Sequence, residues 1–451
     1  MSRRKRGGRR RRRYFLVSLG CAKNTVDAQG MAHLLERAGY RPTDSPRQAD
    51  LLIVNTCGFI EPAREESLAV ISELASGKRP GQRLLVAGCW SQRDPEAILS
   101  AVPGVDGLLG TRRWMDVVEV ANRLTGASPP PPLVHRTETE TVGQDERGVP
   151  RVAVQGATAY IKIADGCSRT CAFCAIPLIK GPAVSRPPER ILDEAAMLAD
   201  RGVKEIILIA QDTTSYGRDL GMKEGLADLL ERLVERVPQV PWIRVMYAFP
   251  GAVTPRLIEV MAQHPQILPY LDIPLQHAHP AVLRRMGRPA DVEWVRRTVA
   301  TVRERIPGIA IRTAFIVGYP GETEEEFATL LAFVQEMRFD RVGVFTYSRE
   351  EGTPAARLPD DVPPEVKEER RARLMEVQQP ISRSINETFI GEHLQVLIEG
   401  RGEGISIGRT YRDAPEIDGL VLIEEDLPAG ALVTVEITGA LEYDLIGRRT
   451  D

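Results

Sequence analysis

Three cysteines stand within eight positions in the stretch Asp165-Gly166-Cys167-Ser168-Arg169-Thr170-Cys171-Ala172-Phe173-Cys174, with gaps of three and then two residues. Thiolates this close share one loop, and they can grip one face of an iron–sulfur cube while leaving its fourth iron without a protein ligand. A metal with an open position can take a substrate, as catalytic metal sites do. Two plainer readings compete: a disulfide pair with a spare thiol, and a zinc knuckle that lacks a ligand. A structural zinc site takes four protein ligands, and no further His or Cys lies within thirty residues of the loop. The spacing favours the cluster.

The other three cysteines share a different design. Tyr14-Phe-Leu-Val-Ser-Leu-Gly-Cys21, Asp50-Leu-Leu-Ile-Val-Asn-Thr-Cys57 and Arg83-Leu-Leu-Val-Ala-Gly-Cys89 are each a short apolar run that ends in Gly or Thr and then Cys. Such runs read as buried parallel strands. Helical stretches at 25–38 and 63–75 separate them, which is the βαβ logic of a small α/β sheet. Loops after the carboxyl ends of its strands gather at one edge, so Cys21, Cys57 and Cys89 should converge. A lone cysteine of this kind is ordinarily a small buried hydrophobe. Three in the same phase on three strands favour a second three-thiolate metal site.

The rest of the chain must position these two sets. At 451 residues it exceeds one core and suggests two to four domains. A hydrophobic content of 43% with 27% charged residues suits a soluble globular protein. No apolar segment reaches transmembrane length and no cleavable signal peptide is evident, so no membrane partner and a reducing, cytoplasmic compartment are expected. The net charge of −3 hides an asymmetry, because nine Lys/Arg fall in the first thirteen residues. The arm 1–13 is expected to be disordered. It reads either as a solvated extension or as an electrostatic tether to RNA, such as rRNA on the ribosome.

Residues 14–127 are expected to form the α/β domain, and 128–152, with prolines from Pro129 to Pro132 and a polar stretch after them, a linker. From 153 to 385 strands and helices alternate, with strands at 157–163, 205–210, 242–247, 268–273, 310–317 and 341–345. Six βα units without hairpin signals suggest a partial (β/α)6 TIM-like barrel with its chemistry at the carboxyl ends of the strands. The triple-cysteine loop follows the first strand. Gln211-Asp212, Gln276-His277 and Gly318-Tyr319-Pro320-Gly321-Glu322 follow others; singly, each reads more readily as rim polar residues or a helix start than as part of a site. A connecting helix at 365–389 should be kinked or ended by Pro380. Five short alternating strands within 386–451 suggest a small antiparallel β-barrel of the oligonucleotide-binding type.

The CxxxCxxC loop with an aromatic before its last cysteine resembles the radical S-adenosylmethionine (SAM) enzymes. Together with the preceding three-cysteine domain and the terminal barrel it resembles the methylthiotransferase family, built from a methylthiotransferase N-terminal domain, a radical-SAM core and a TRAM domain. Leu19-Gly-Cys-Ala-Lys-Asn24, Tyr160-Ile-Lys-Ile-Ala-Asp-Gly-Cys167, Tyr270-Leu-Asp-Ile-Pro-Leu-Gln-His277 and Asp340-Arg-Val-Gly-Val-Phe345 resemble the branch that modifies an aspartate of ribosomal protein S twelve (uS12). The stretch Tyr247-Ala-Phe-Pro-Gly251 departs from its relatives.

That resemblance implies two [4Fe-4S] clusters and SAM as cofactors. Cys167, Cys171 and Cys174 would hold the catalytic cluster, at which SAM is cleaved to a 5′-deoxyadenosyl radical; the cofactor carries that step and the protein positions it. Cys21, Cys57 and Cys89 would hold an auxiliary cluster that supplies sulfur. Gln211 and Asp212 are candidates for the methionine end of SAM, and Val317, Gly318 and Gly321 for its adenine side. An electron donor such as flavodoxin or ferredoxin is implied as a partner.

Charge separates the two branches of the family. From Gly391 to Asp451 there are five arginines and no lysine against thirteen Asp/Glu, a net charge of −8. A barrel that grips RNA should be basic, and an acidic one would attract a basic ribosomal protein. The alternative branch, tRNA adenosine methylthiotransferases of the MiaB type, would share every cysteine. A merely solvated acidic surface is the plainer reading of the same charge.

Overall fold

The structure, a computed structural model, describes residues 12–126, 132–138 and 147–450. The basic arm therefore lies outside the described residues except for Arg12 and Arg13, as do Pro129 to Pro131. The chain divides into two compact units. One takes in the chain up to Arg151 together with Ile176–Pro182, and the other comprises Val152–Ala175 and Ala183–Asp451.

The first unit is a six-stranded sheet of β1 (Arg13–Ser18), β2 (Arg41–Pro42), β3 (Leu51–Thr56), β4 (Arg83–Gly88), β5 (Gly107–Gly110) and β6 (Leu133–His135). Their order is β2-β1-β3-β4-β5-β6, and every pairing is parallel. Continuous apolar runs suit this sheet because both faces are covered. Leu51 and Ile53 meet α1 (Ala22–Arg37) and α5 (Val117–Leu124) on one side. Leu52 and Val54 meet α2 (Glu61–Ser76) and α4 (Pro95–Ala101) on the other, with α3 (Cys89–Arg93) opening directly from β4. The short strand β6 falls within residues 128–152, which the prolines made look like a linker. Once formed it covers the edge of β5.

Ile176–Pro182, the segment that follows the triple-cysteine loop in sequence, belongs to this unit and carries α6 (Ile176–Lys180). Arg112 donates from Nε to the Ile179 carbonyl at 3.0 Å and from Nη2 to that of Leu178 at 2.8 Å. Lys180 is paired with Asp27 at 2.9 Å.

The second unit opens with β7 (Val152–Gln155), antiparallel to β8 (Thr158–Lys162), and a two-stranded ribbon of β9 (Ala164–Asp165) and β10 (Val184–Ser185). Then come α7 (Pro188–Asp200), β11 (Glu205–Ile209), α8 (Gly225–Arg236), β12 (Trp242–Val245), α9 (Pro255–Gln263) and β13 (Tyr270–Asp272). They are followed by α10 (Pro280–Arg285), α11 (Val292–Arg305), β14 (Ala310–Val317), α12 (Glu324–Met337) and β15 (Arg341–Thr346). The six strands β8 and β11 to β15 run parallel in sequence order, in two ladders joined by a bridge between Ile243 and Ile267. Among the described residues no ladder returns from β15 to β8, so the expected partial barrel is present and open.

The connecting helix α13 (Pro364–Glu387) is not ended by Pro380 and runs through it as one element. Leu374, Gln378, Ile381 and Ser382 are buried on both sides of the proline. Gln378 donates to the Phe339 carbonyl at 2.7 Å and Ser382 to that of Asp340 at 3.1 Å. These anchors on either side hold the helix across the hydrogen bond that proline cannot make.

The chain ends in a closed barrel of β16 (His393–Gly402), β17 (Ile405–Arg409), β18 (Val421–Ile423), β19 (Leu432–Ala440) and β20 (Leu445–Arg449), in the order β16-β17-β18-β20-β19. It is antiparallel as expected except where β18 and β20 pair in parallel.

The segment from Arg409 to Asp418 crosses the amino-terminal ends of the larger barrel's strands on buried ion pairs. Glu205, the first residue of β11, accepts from Arg244 and Arg409 at 2.7 Å each, with all three side chains at most 1% exposed. Arg341 pairs with Asp413 at 2.6 Å and Arg412 with Asp340 at 2.5 Å. Removing one member of such a set strands the others, at a cost of about 3–5 kcal/mol. Arg409→Ala should therefore lower the urea midpoint markedly, whereas Arg383→Ala, which breaks an exposed pair with Glu442, should leave it unchanged. Burial pushes the Glu205 carboxyl up, but Arg244 and Arg409 outweigh it and hold the group below its ordinary value. This stabilisation is present above the unfolded carboxyl's value and is lost as pH falls through the folded one. Glu205→Gln should accordingly show a shallower loss of stability in acid, read by urea unfolding across that range.

Candidate metal centres

Within the first unit Cys21, Cys57 and Cys89 come together as expected. Cys21 caps the amino terminus of α1, Cys57 follows β3, and Cys89 is the first residue of α3. The approach is so close that a Cβ on Gly20 would lie 2.7 Å from Cys57 Cβ and 3.2 Å from its Sγ. Gly20 also has φ of +87°, so no other residue fits easily.

Two buried asparagines stitch the three strand ends. Asn24 Nδ2 donates to the carbonyls of Leu19 and Thr56 at 3.0 Å each, and its Oδ1 lies 3.5 Å from Cys89 Sγ. Asn55 Nδ2 donates to Ser18 Oγ at 3.1 Å and to the Asn24 carbonyl at 2.8 Å. Asn24 was legible only as part of a motif and Asn55 was missed, although a polar residue in a fully buried strand must find partners.

Burial, then the nearby Cys89 and Cys21, push the Cys57 thiol up to about 12. Cys21 is exposed at the surface, yet the protein crowded around its thiol opposes ionisation; Lys23, backbone N–H groups and Lys180 prevail and hold it below its ordinary range. Three thiols brought to neighbouring strand ends have the donor set for a thiolate-bound cluster. Among the described residues no three His, Cys, Asp or Glu side chains converge on a single ion. Thiolates on separate irons of a cube need not share one atom.

Within the second unit Cys167, Cys171 and Cys174 follow β8 and β9, at the carboxyl end of the first barrel strand. All six cysteines carry thiols rather than disulfides. The loop is anchored by Ala172 donating to the Met286 carbonyl at 2.8 Å and by Phe173, which packs with Tyr319 and Tyr347. Two N–H groups point at sulfur: Arg169 N at 3.4 Å from Cys167 Sγ, and Arg288 Nη1 at 3.6 Å from Cys171 Sγ. Such donors are what an anionic sulfur cluster needs around it. Arg169 Nη2 and Arg288 Nε are buried without a hydrogen-bond partner among the described residues, which suits a loop built around a further anionic group. Burial raises the Cys167 thiol, with Asp212 and Cys171 adding to it.

Asp212 sits against this loop, its Oδ2 accepting from Arg169 Nε at 2.7 Å. The Arg169 guanidinium stacks on the Phe249 ring at 3.9 Å, and Arg288 lies 4.3 Å from the same ring. Arg288 and Phe249 carry no local signal of this role, since the fold alone brings them to the loop. Gln211 neighbours Asp212 after β11. Val317 is buried at the end of β14. Gly318 has φ of +70°, and a Cβ there would meet Lys367 Cγ at 2.3 Å, so close packing already accounts for it. Gly321 donates its N–H to Asp361 at 2.7 Å. His277 and Glu322 are fully buried and face each other at 3.8 Å across neighbouring strand-end loops.

Three family models match the chain: the radical SAM superfamily over residues 161–334, an uncharacterized protein family, UPF0004, over 13–110, and the TRAM domain over 390–449. The chain is 46% identical to the ribosomal protein uS12 methylthiotransferase RimO of Roseiflexus sp. (strain RS-1), over 97% of both chains. It is 49% identical to the RimO of Chloroflexus aurantiacus, over 96% of this chain and 99% of that one. Among solved structures it resembles a radical S-adenosylmethionine methyltransferase, TsrM from Kitasatospora setae, with a TM-score of 0.55 and 17% identity over 88% of this chain and 81% of that one. That likeness is one of fold. A radical SAM core implies SAM and a [4Fe-4S] cluster, and the three-thiol loop at the barrel's carboxyl edge has the donor set for one. With relatives this similar along nearly its whole length, the chain belongs to the ribosomal protein uS12 methylthiotransferase (RimO) family of radical SAM enzymes.

Proposed function

We propose that the chain methylthiolates the β-carbon of an aspartate in ribosomal protein uS12, with residues 153–385 housing the radical chemistry, 14–127 the sulfur-supplying centre and 386–451 a substrate-facing barrel. The observation that carries this reading is the near-full-length similarity to curated uS12 methylthiotransferases. When bound, a [4Fe-4S] cluster with SAM at Cys167, Cys171 and Cys174, and a second cluster at Cys21, Cys57 and Cys89, supply hydrogen abstraction from carbon and the transferred sulfur.

The chain's own residues hold and shield these groups. Arg169 and Arg288 donate toward the thiolates, and Phe249 lies against both guanidinium groups and limits their freedom. Asp212 neutralises Arg169 and, with Gln211, would hold the methionine end of SAM; Val317, Gly318 and Gly321 would line its adenine side. In the first unit Asn24 and Asn55 keep the three strand ends in register while Lys23 and Lys180 offset negative charge at Cys21.

The terminal barrel favours a protein substrate over tRNA. Of its charges, Arg409, Arg412, Asp413 and Asp418 are buried in pairs and cancel. The whole excess of eight negative charges is thus carried by its other residues. That surface repels phosphate and attracts a basic ribosomal protein. A reducing, cytoplasmic setting keeps the thiols available, and a small redox protein such as flavodoxin or ferredoxin delivers the electron.

Anaerobic incubation with uS12 beside bulk tRNA, followed by mass spectrometry, should give a methylthio adduct on the uS12 aspartate alone. An adduct confined to tRNA would overturn the substrate assignment. Cys167→Ala should abolish formation of 5′-deoxyadenosine from SAM and dithionite. Cys57→Ala should keep that cleavage yet yield no methylthiolated product, and sulfur insertion by Cys57→Ala would contradict the role given to the second centre.

A further inference from the structure

A line of buried polar contacts runs through the second unit from the terminal barrel to the backbone of Tyr247 and Ala248, next to Phe249, whose ring lies against two arginines at the triple-cysteine loop. It begins at Asp418, whose side chain is 2% exposed. Asp418 Oδ2 accepts from the Tyr270 hydroxyl at 2.6 Å and from Ala414 N at 2.9 Å, and its Oδ1 lies 3.4 Å from Arg312 Nε. On β14, Arg312 donates from Nη1 to Asp272 Oδ1 at 2.9 Å. The other oxygen of Asp272 accepts from Tyr247 N at 3.0 Å, and the Asp272 carbonyl accepts from Ala248 N at 2.8 Å.

Tyr247 is one of few non-glycine residues with positive φ, at +64°. A bulky residue holds that conformation only where its surroundings impose it. Two residues on is Phe249, the ring against which Arg169 and Arg288 lie. Those arginines reach Asp212 and Cys171 Sγ.

Stability is a weak reason for this arrangement, because an apolar filling of a barrel lumen is often as stable as buried ion pairs. Direction is a better one, since a carboxylate fixed from behind by Arg312 presents its second oxygen to a single N–H. We infer that Asp418, Arg312 and Asp272 are positioning residues for the radical chemistry, through which the terminal barrel sets the conformation of Tyr247 to Phe249 and hence the arginines of the cysteine loop. The barrel thus serves SAM handling as well as any macromolecular substrate. The inference rests on the radical SAM reading but not on the identity of the methylthiolated molecule.

The test is cleavage of SAM by the anaerobically reconstituted full chain with dithionite and no uS12, so a wrong substrate assignment leaves it intact. Asp418→Asn, which spares the Arg312–Asp272 pair, and Arg312→Gln should each raise KM for SAM roughly tenfold with a smaller change in kcat. Both should also alter the electron paramagnetic resonance signal of the reduced cluster in the presence of SAM. Arg312→Lys should restore much of the loss. Glu442→Gln, at an exposed pair on the same barrel, should change neither readout. Should Arg312→Gln fail to fold, Asp418→Asn decides alone. A SAM KM within about twofold of the parent for Asp418→Asn, or an equal effect from Glu442→Gln, would overturn the inference.

Discussion

Thiolates gathered at one point repel one another, and much of this protein is arranged to hold them together in spite of that. The Cys57 thiol is raised chiefly by burial, with Cys89 and Cys21 adding to it. Close packing at Gly20 and the hydrogen bonds of Asn24 and Asn55 leave the three loops no room to spread. Around Cys167 and Cys171 the same problem is met by N–H donors from Arg169 and Arg288. An iron–sulfur cluster at either set would turn this repulsion into ligation, because thiolates are the ligands such clusters take.

The larger barrel faces a related constraint in its lumen. Glu205, Arg244, Asp272, Arg312 and Arg409 have little or no access to water, so each charge is answered by another within hydrogen-bond reach. Because two of the partners, Arg409 and Asp418, come from the terminal barrel, that barrel completes the core as well as decorating it. The terminal barrel is therefore joined to the amino-terminal strand ends of the larger barrel through charge, where a hydrophobic interface would have given cohesion without direction.

Much of this was legible in the sequence because the strongest signals are local. Continuous apolar runs ending in Cys21, Cys57 and Cys89 read as parallel strands with their loops at one edge, and β1, β3 and β4 are those strands. The six barrel strands and their helices were similarly readable from alternating runs. Short or shielded elements were less so. The four-residue β5 and the three-residue β6 earn their place by pairing with neighbours, and the ribbon β9–β10 has only two residues on each side. Pro380 does not end its helix, which tertiary anchors at Gln378 and Ser382 carry through. The roles of Arg288, Phe249 and Asp418 arise from contacts distant in sequence, for which the chain offers no periodic or motif signal.

The claim on which the rest depends is that two separate sets of three thiolates each hold a four-iron cluster. Iron and acid-labile sulfide, determined on the anaerobically reconstituted chain together with its Mössbauer spectrum, test it most directly. The account predicts roughly eight irons per chain, falling to roughly four when Cys21, Cys57 and Cys89 are all replaced by alanine, with the [4Fe-4S] signature kept. About four irons in the unaltered chain, with no loss on that triple replacement, would contradict it.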